Sequence, residues 1–359
     1  MKFGETFSEY LHGDQGWFLD KVSHVEYKRL KKVLKNCSRC RSTNANSEEE
    51  NENISKFCRS NSCPECDQRF FSELTKEASD ILGCLRSRVR RLLHLHYANG
   101  LQGYVWRLWH CFSDPGEMMQ EGRLLVDYVL MNAIAIRKIL KKYDKVHCSV
   151  NGRNFKSKMQ SKRIELLQSP WMIELGAFYL NCESLDGGDD LVRQFSCDLG
   201  SDRPAMILAL SDSMKLEYNL TCPICLTDVA LKREGAFAPG TQQVLLLKGV
   251  LLYTGTGEDI IFHPYALGCG HLFCKGCICS AASVLIFEGP KFAPPESKCP
   301  VCRSVGVYED SVHMVELDLL LKNRCKEYWK ERLNIERAQA VKQSKEFWDL
   351  QTKHALGFY

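Results

Sequence analysis

Three Cys-x2-Cys pairs and one Cys-x-His pair, strung over 81 residues, constrain this chain more than any other feature. They are Cys222-Pro-Ile-Cys225, Cys269-Gly-His271, Cys274-Lys-Gly-Cys277 and Cys299-Pro-Val-Cys302. A two-residue spacer lets both thiolates of a pair reach one ion. Zinc takes four nitrogen or sulfur ligands in a tetrahedron, so seven cysteines and one histidine make two sites. A unit this small buries little apolar surface, and metal must supply much of its stability. Cys279, two residues after Cys277, is out of register with the pairs and reads as a spare thiol.

The ligand order resembles the RING finger family, over Leu220 to Ser304. In that family the ligand pairs interleave. The resemblance implies one zinc on Cys222, Cys225, Cys274 and Cys277, and a second on Cys269, His271, Cys299 and Cys302. It also implies a docking surface for a ubiquitin-conjugating enzyme and no catalytic nucleophile. Ile224 and Pro300, between the ligands of the first and last pairs, would line the docking groove. Arg303 would bridge the conjugating enzyme and ubiquitin, a role that suits a permanently charged guanidinium with five donors. The plainer alternatives are a core isoleucine and an ordinary surface arginine.

The 43 residues between Cys225 and Cys269 are many for this family. Phe262-His-Pro-Tyr-Ala-Leu267 reads as the family's approach to the third ligand, so the excess is an insert at about 230–259. A threefold longer loop costs only ~1 kcal/mol of closure entropy, against roughly 10–16 kcal/mol for structural zinc. The sites should survive the insert, but a blocked docking face is the alternative it raises. The chain would then be a non-enzymatic phosphate-sensing adaptor.

At 359 residues the chain should hold two or three domains. Met1 to Tyr10 has no apolar signal region, and no apolar run approaches a membrane span. With 19 cysteines, a reducing compartment with metal and free thiols is expected rather than disulfides. Cys37, Cys58, Cys63 and Cys66 form a candidate third zinc set, with Cys63-Pro-Glu-Cys66 as its zinc turn. Its alternative is reduced cysteines in a helix connection.

Periodicity predicts helices over Met1 to Leu11, Val25 to Asn36, Arg69 to Ala98, Glu121 to Tyr143, Phe155 to Leu167 and Pro170 to Leu180. The buried stripe of the third should be Phe71, Leu74, Ala78, Ile81, Leu82, Leu85, Val89, Leu92 and Leu93. Glu183 to Arg203 reads as linker, and Ala205 to Leu210 and Lys215 to Leu220 as strands. Met314 to Leu350 reads as a charged helical stretch whose Leu317, Leu320, Leu321, Tyr328 and Trp329 pack on the finger or pair two chains as a homodimer.

Charge is uneven. Lys21 to Lys35 holds six basic residues and one acid, and Arg137 to Arg163 ten basic residues and one acid. Lys138, Lys141, Lys142 and Lys145 fall at i, i+3, i+4 and i+7, one stripe of ammonium groups. Tyr27 and Lys31 share a face of the preceding basic helix. A solvated face, a nucleic-acid surface and a compact phosphate-rich ligand are the three readings. No base-reading or stacking motif accompanies the stripe, and no nucleic acid is expected.

Met1-Lys-Phe-Gly, Tyr27-Lys-Arg-Leu-Lys-Lys and Arg137-Lys-Ile-Leu-Lys-Lys-Tyr-Asp-Lys together resemble an SPX domain, over Met1 to about Leu167. The resemblance implies a helical bundle that binds inositol polyphosphate. Tyr27, Lys31 and Lys142 would form the phosphate cluster, with Lys2, Lys138, Lys141 and Lys145 around it. Several ammonium donors and a phenol suit a dense anion, with an affinity sensitive to salt.

The expected fold is therefore an α-helical N-terminal SPX bundle (1–167), a linker with short strands (168–219), a small zinc-bound α+β RING finger (220–304) and a C-terminal helix (305–359). SPX followed by RING resembles the plant family of nitrogen limitation adaptation or benzoic acid hypersensitive ubiquitin ligases. Ser280-Ala-Ala-Ser-Val284 and the tail from Trp329 to Trp348 resemble it too. That implies a ubiquitin-conjugating enzyme with ubiquitin as partner, membrane phosphate transporters as substrates and a role in phosphate homeostasis. It also implies a place in nucleus and cytoplasm, peripheral at the plasma membrane when bound to substrate.

Overall fold

A computed structural model of the chain describes residues 3–12, 22–35, 64–93, 115–147, 149–161, 165–182, 195–200, 203–211, 214–225 and 260–356. Its contacts divide the chain into two units, Met1–Met172 and Ile173–Tyr359.

The first unit is helical: α1 (Phe3–His12), α2 (Tyr27–Lys35), α3 (Pro64–Leu92), α4 (Pro115–His147) and α5 (Asn151–Ser161), then a 3-10 turn at Leu166–Gln168. Apolar residues three and four apart on α3 put Phe70, Leu74, Ala78, Ile81, Leu85, Val89 and Leu92 on one buried face. Phe70, not Phe71, takes the buried place in that stripe. Phe71 sits at the edge of the stripe, half-buried, and stacks on Phe155 of α5. Leu125, Tyr128, Val129, Asn132, Ile136 and Leu140 of α4 are buried as their spacing predicts.

Polar groups fix the segment leading into α2. The fully buried Asn132 accepts from Val25 N at 2.9 Å and donates to Tyr128 O at 2.8 Å, so its burial is satisfied. Tyr128 donates its hydroxyl to Ser23 O. Glu77 on α3 accepts from Glu26 N at 3.1 Å and pairs with Arg29 at 2.8 Å. The helix expected over Phe155 to Leu167 instead begins at Asn151. Asp144 determines that start: its two carboxylate oxygens accept from Gly152 N and Arg153 N at 2.6 and 3.0 Å and cap α5.

α6 (Pro170–Cys182) runs into the second unit and is followed there by β1 (Phe195–Asp198), β2 (Ala205–Ser211) and β3 (Met214–Asn219), an antiparallel sheet in the order β1-β2-β3. β1 lies within the stretch expected to be linker. Four residues, Phe-Ser-Cys-Asp, are too few to show a period, but pairing Phe195 with Leu208 buries the ring. Gly176 of α6 lies against Met206 and Phe195. A Cβ there would come within 2.6 Å of the Met206 sulfur, so only glycine permits this approach.

The sheet leads into the finger: Thr221 bridges Ile260, and Ile261 N donates to Leu220 O at 2.8 Å. Strands β4 (Pro264–Ala266) and β5 (Leu272–Cys274), helix α7 (Lys275–Ala281) and strand β6 (Val312–His313) build it, in sheet order β5-β4-β6. Phe273, Ile278, Ile286, Tyr308 and Met314 form its small core. The C-terminal stretch is two helices, α8 (Val315–Arg324) and α9 (Lys326–Ala355). The break falls at Cys325, whose φ of −123° and ψ of 56° leave the helical region. Among the described residues no helix is long and apolar enough to cross a membrane.

Candidate metal centre

The eight spaced ligands converge in two clusters. Cys222, Cys225, Cys274 and Cys277 form one; Cys269, His271, Cys299 and Cys302 form the other; in each, the donor atoms lie within 4.8 Å of one another. The first pair therefore joins the third and the second joins the fourth. β5 and α7 explain this, because Cys274 ends the strand and Cys277 lies on the first turn of the helix, facing the first pair. Gly270 makes the Cys-x-His turn with φ +85°, a conformation that costs other residues a strained backbone.

The spacings fit zinc. Zn–S bonds of about 2.3 Å put tetrahedral sulfurs about 3.8 Å apart. Cys225 Sγ is 3.8 Å from Cys274 Sγ and 3.4 Å from Cys277 Sγ. His271 Nδ1 is 3.4 Å from Cys269 Sγ and 3.8 Å from Cys299 Sγ, so Nδ1 is the ligand atom.

The chemistry of the donors fits as well. Thiols packed this closely share protons unequally. Hydrogen bonds from Cys225, Cys274 and Cys277 hold the Cys222 thiol far below its ordinary range, while hydrogen bonding to Cys222 pushes Cys274 and Cys277 far above theirs. Cys299 is drawn down to about 3, first by its hydrogen bond with Cys269, and Cys269 rises. A dication would take the place of those protons and let every sulfur be a thiolate. Backbone N–H groups of Phe262 and Cys274 already point at Cys274 Sγ and Cys222 Sγ, at 3.2 and 3.5 Å. Cys279 is no ligand: it is fully buried on α7, and burial pushes its thiol up to about 11.

Ile224 and Pro300 are half-buried on the turns of the first and last pairs. Arg303 is exposed; its φ is +62°, and its N–H closes the last turn on Cys299 O at 3.0 Å.

α9 lies along the finger, which accounts for its half-buried face. Tyr328 donates to Ile260 O at 2.5 Å, Glu336 meets His263 Nδ1 at 2.6 Å and Gln343 accepts from Ile286 N at 3.0 Å. Trp329 packs on Phe262 and His263. Arg332 reaches Cys225 Sγ at 3.9 Å. Sequence reasoning found Tyr328 and Trp329 but missed Arg332, Glu336 and Gln343. One charge among many on a polar helix carries no mark of its partner.

In the helical unit, Tyr27 starts α2 and sets its ring edge against Phe3 at 5.3 Å, while Lys138 Nζ lies over the same Phe3 ring at 5.6 Å. Burial raises the Tyr27 phenol. Lys138, Lys141 and Lys145 are exposed on α4, and Lys31 and Lys142 are half-buried. Lys2, Cys37, Cys58, Cys63, the Cys66 side chain and the insert at 230–259 lie outside the described residues.

The fold and the two clusters define a class: a helical unit joined to a two-centre cysteine–histidine finger with interleaved ligands. No family model matches the chain. A probable E3 ubiquitin-protein ligase BAH1-like 1 of Oryza sativa subsp. japonica is 54% identical over 370 residues, covering 99% of this chain and 100% of the relative. A probable E3 ubiquitin-protein ligase BAH1-like of Arabidopsis thaliana is 53% identical over 368 residues, covering 100% of both chains. The E3 ubiquitin-protein ligase NLA of Arabidopsis thaliana is 38% identical over 377 residues, covering 99% of this chain and 100% of the relative. The chain belongs to this BAH1/NLA family.

Proposed function

We propose that the chain is a RING-type ubiquitin ligase with two structural zincs and a regulatory anion site. The observation that carries the reading is the pair of interleaved four-ligand clusters. Zinc would sit on Cys222, Cys225, Cys274 and Cys277, and on Cys269, His271, Cys299 and Cys302; bound there, it cross-links the loops that display the docking residues. Ile224 and Pro300 offer apolar contact to a ubiquitin-conjugating enzyme. Arg303, held by its left-handed turn, offers a guanidinium to the enzyme and its ubiquitin. The finger acts by docking and orientation. The amine of a substrate lysine attacks the ubiquitin thioester carbonyl, an isopeptide bond forms, and the thiol of the conjugating enzyme leaves.

The helical unit is the SPX domain of this reading. Its ligand is an inositol polyphosphate on Tyr27, Lys31 and Lys142, with Lys2, Lys138, Lys141 and Lys145 adding charge. Support comes from α1, α2 and the last turns of α4, where Tyr27 and Lys138 meet around Phe3. The substrates are membrane phosphate transporters, and the ligase works from the nucleus and cytoplasm with peripheral recruitment to the plasma membrane.

Autoubiquitination with purified activating and conjugating enzymes tests the ligase. Wild type should build chains, and Cys269→Ser and Ile224→Ala should not. Silence of the wild-type protein with a broad set of conjugating enzymes, while it holds two zincs, would sink the reading. Titration with inositol hexakisphosphate tests the anion site: binding should weaken steeply with salt and be lost in Lys142→Ala.

A further inference from the structure

We infer that Arg332 is the counter-cation of the four-cysteine centre and a positioning residue for its first turn. This rests on the zinc reading of the two clusters. Zinc with four thiolates carries a formal charge of −2, whereas zinc with three thiolates and a neutral imidazole carries −1. The first centre is therefore the more costly charge to bury, and the guanidinium lies at that one. Arg332 Nη2 is 3.9 Å from Cys225 Sγ, and its central carbon stands 5.8 Å over the Phe262 ring. Phe262 in turn donates its backbone N–H to Cys274 Sγ at 3.2 Å.

Two further observations separate this from a surface arginine caught against sulfur. Arg332 Nε is buried and has no hydrogen-bond partner. The acid one turn along, Glu336, is committed to His263 at 2.6 Å, and among the described residues no carboxylate forms an ion pair with Arg332. A half-buried guanidinium without a carboxylate needs another counter-charge, and the thiolates supply it. The arrangement is reciprocal: the cation offsets the charge of the centre, and the centre offsets the cation. Since Cys225 follows Ile224, the same contact fixes the turn that carries the docking isoleucine.

The test uses the full chain purified with zinc and follows zinc release to a chromophoric chelator, with both equivalents resolved. Wild type should hold two zincs; fewer would reject the zinc reading itself, independently of Arg332. Arg332→Met keeps the apolar stem and removes the charge, and it should weaken one equivalent about 10–100-fold and leave the other unchanged. Arg332→Lys should behave close to wild type. Glu336→Gln removes the carboxylate charge beside His263 but leaves the guanidinium, and it should not change release. Equal losses in the Met and Lys variants, no loss in Arg332→Met, or an equal loss in Glu336→Gln would overturn the inference. If Arg332→Met does not fold, Arg332→Lys decides: wild-type release supports the inference and lost zinc overturns it.

Discussion

The helical unit and the finger solve the same problem by opposite means. The helical unit closes on large apolar side chains: Phe70, Leu74, Ile81 and Leu85 of α3 and Leu125, Tyr128 and Tyr143 of α4 are all essentially solvent-free. Among its described residues the finger has three strands of two or three residues and one helix of seven. Much of its fully buried material is ligand: Cys222 and Cys299 are inaccessible and Cys274 and His271 nearly so. Hydrophobic burial scales with area, so long helices with a continuous stripe need no cross-link. Short loops cannot bury enough, and a cation that gathers four side chains would replace the missing core.

Metal removal breaks this comparison most forcefully. A strong chelator should unfold the finger, since structural zinc binding is worth roughly 10–16 kcal/mol. The protection of α3 and α4 should survive, read by hydrogen exchange. Loss of protection in both regions together would mean the two units do not stand on separate supports.

The converse is a core truncation. Phe70→Ala should cost the helical unit about 3–5 kcal/mol in chemical denaturation and leave the zinc content at two per chain. A drop in zinc content would contradict the division of labour.

Glu174 sharpens the contrast from within the second unit. Its carboxylate caps α8, accepting from Glu316 N at 2.8 Å and Leu317 N at 3.2 Å. Burial pushes it from an ordinary 4.5 up to about 8, and Glu316 beside it adds to the rise, against the two amides that favour the anion. Between those values the folded chain binds a proton that the unfolded chain has released. Its contribution is fully present below about 4.5 and is lost as pH rises to about 8. The slope is at most about 1.4 kcal/mol per pH unit. Glu174→Gln should carry a constant cost, because its amide nitrogen meets an N–H donor, and should flatten the slope. An unchanged slope in denaturation midpoints between pH 5 and 8 would mean Glu174 stays ionised.

The smallest effect concerns a single buried hydrogen bond in the helical unit. Asn132→Ala leaves Val25 N without its acceptor and should cost about 1–3 kcal/mol. Exchange of the Val25 amide should quicken more than that of Leu85. Uniform quickening would mean that the asparagine supports the whole unit rather than the entry to α2.

Periodicity found the long helices because one face of each is uniformly buried, which is what a 3.6-residue repeat reports. It placed Phe71 for Phe70 because adjacent phenylalanines satisfy the stripe equally well on paper. Only the stacking of Phe71 on Phe155 separates them. β1 escaped because four residues are too few to show a period. The break at Cys325 escaped because no proline or glycine marks it. The Lys138–Lys145 stripe was legible as helix geometry, while the meeting of Lys138 and Tyr27 around Phe3 needed three helices to converge.

By itself the sequence determined which eight side chains are the candidate ligands, because a Cys-x2-Cys turn is local and its chemistry is carried by residue type. It also determined where the long helices run. Only the tertiary structure decided that α9 lies along the finger, that Glu174 caps a helix more than 140 residues away and that Arg332 lies against a thiolate cluster. Those contacts depend on which groups are brought together out of water, and a charge on a polar helix looks the same in sequence whether it faces solvent or sulfur.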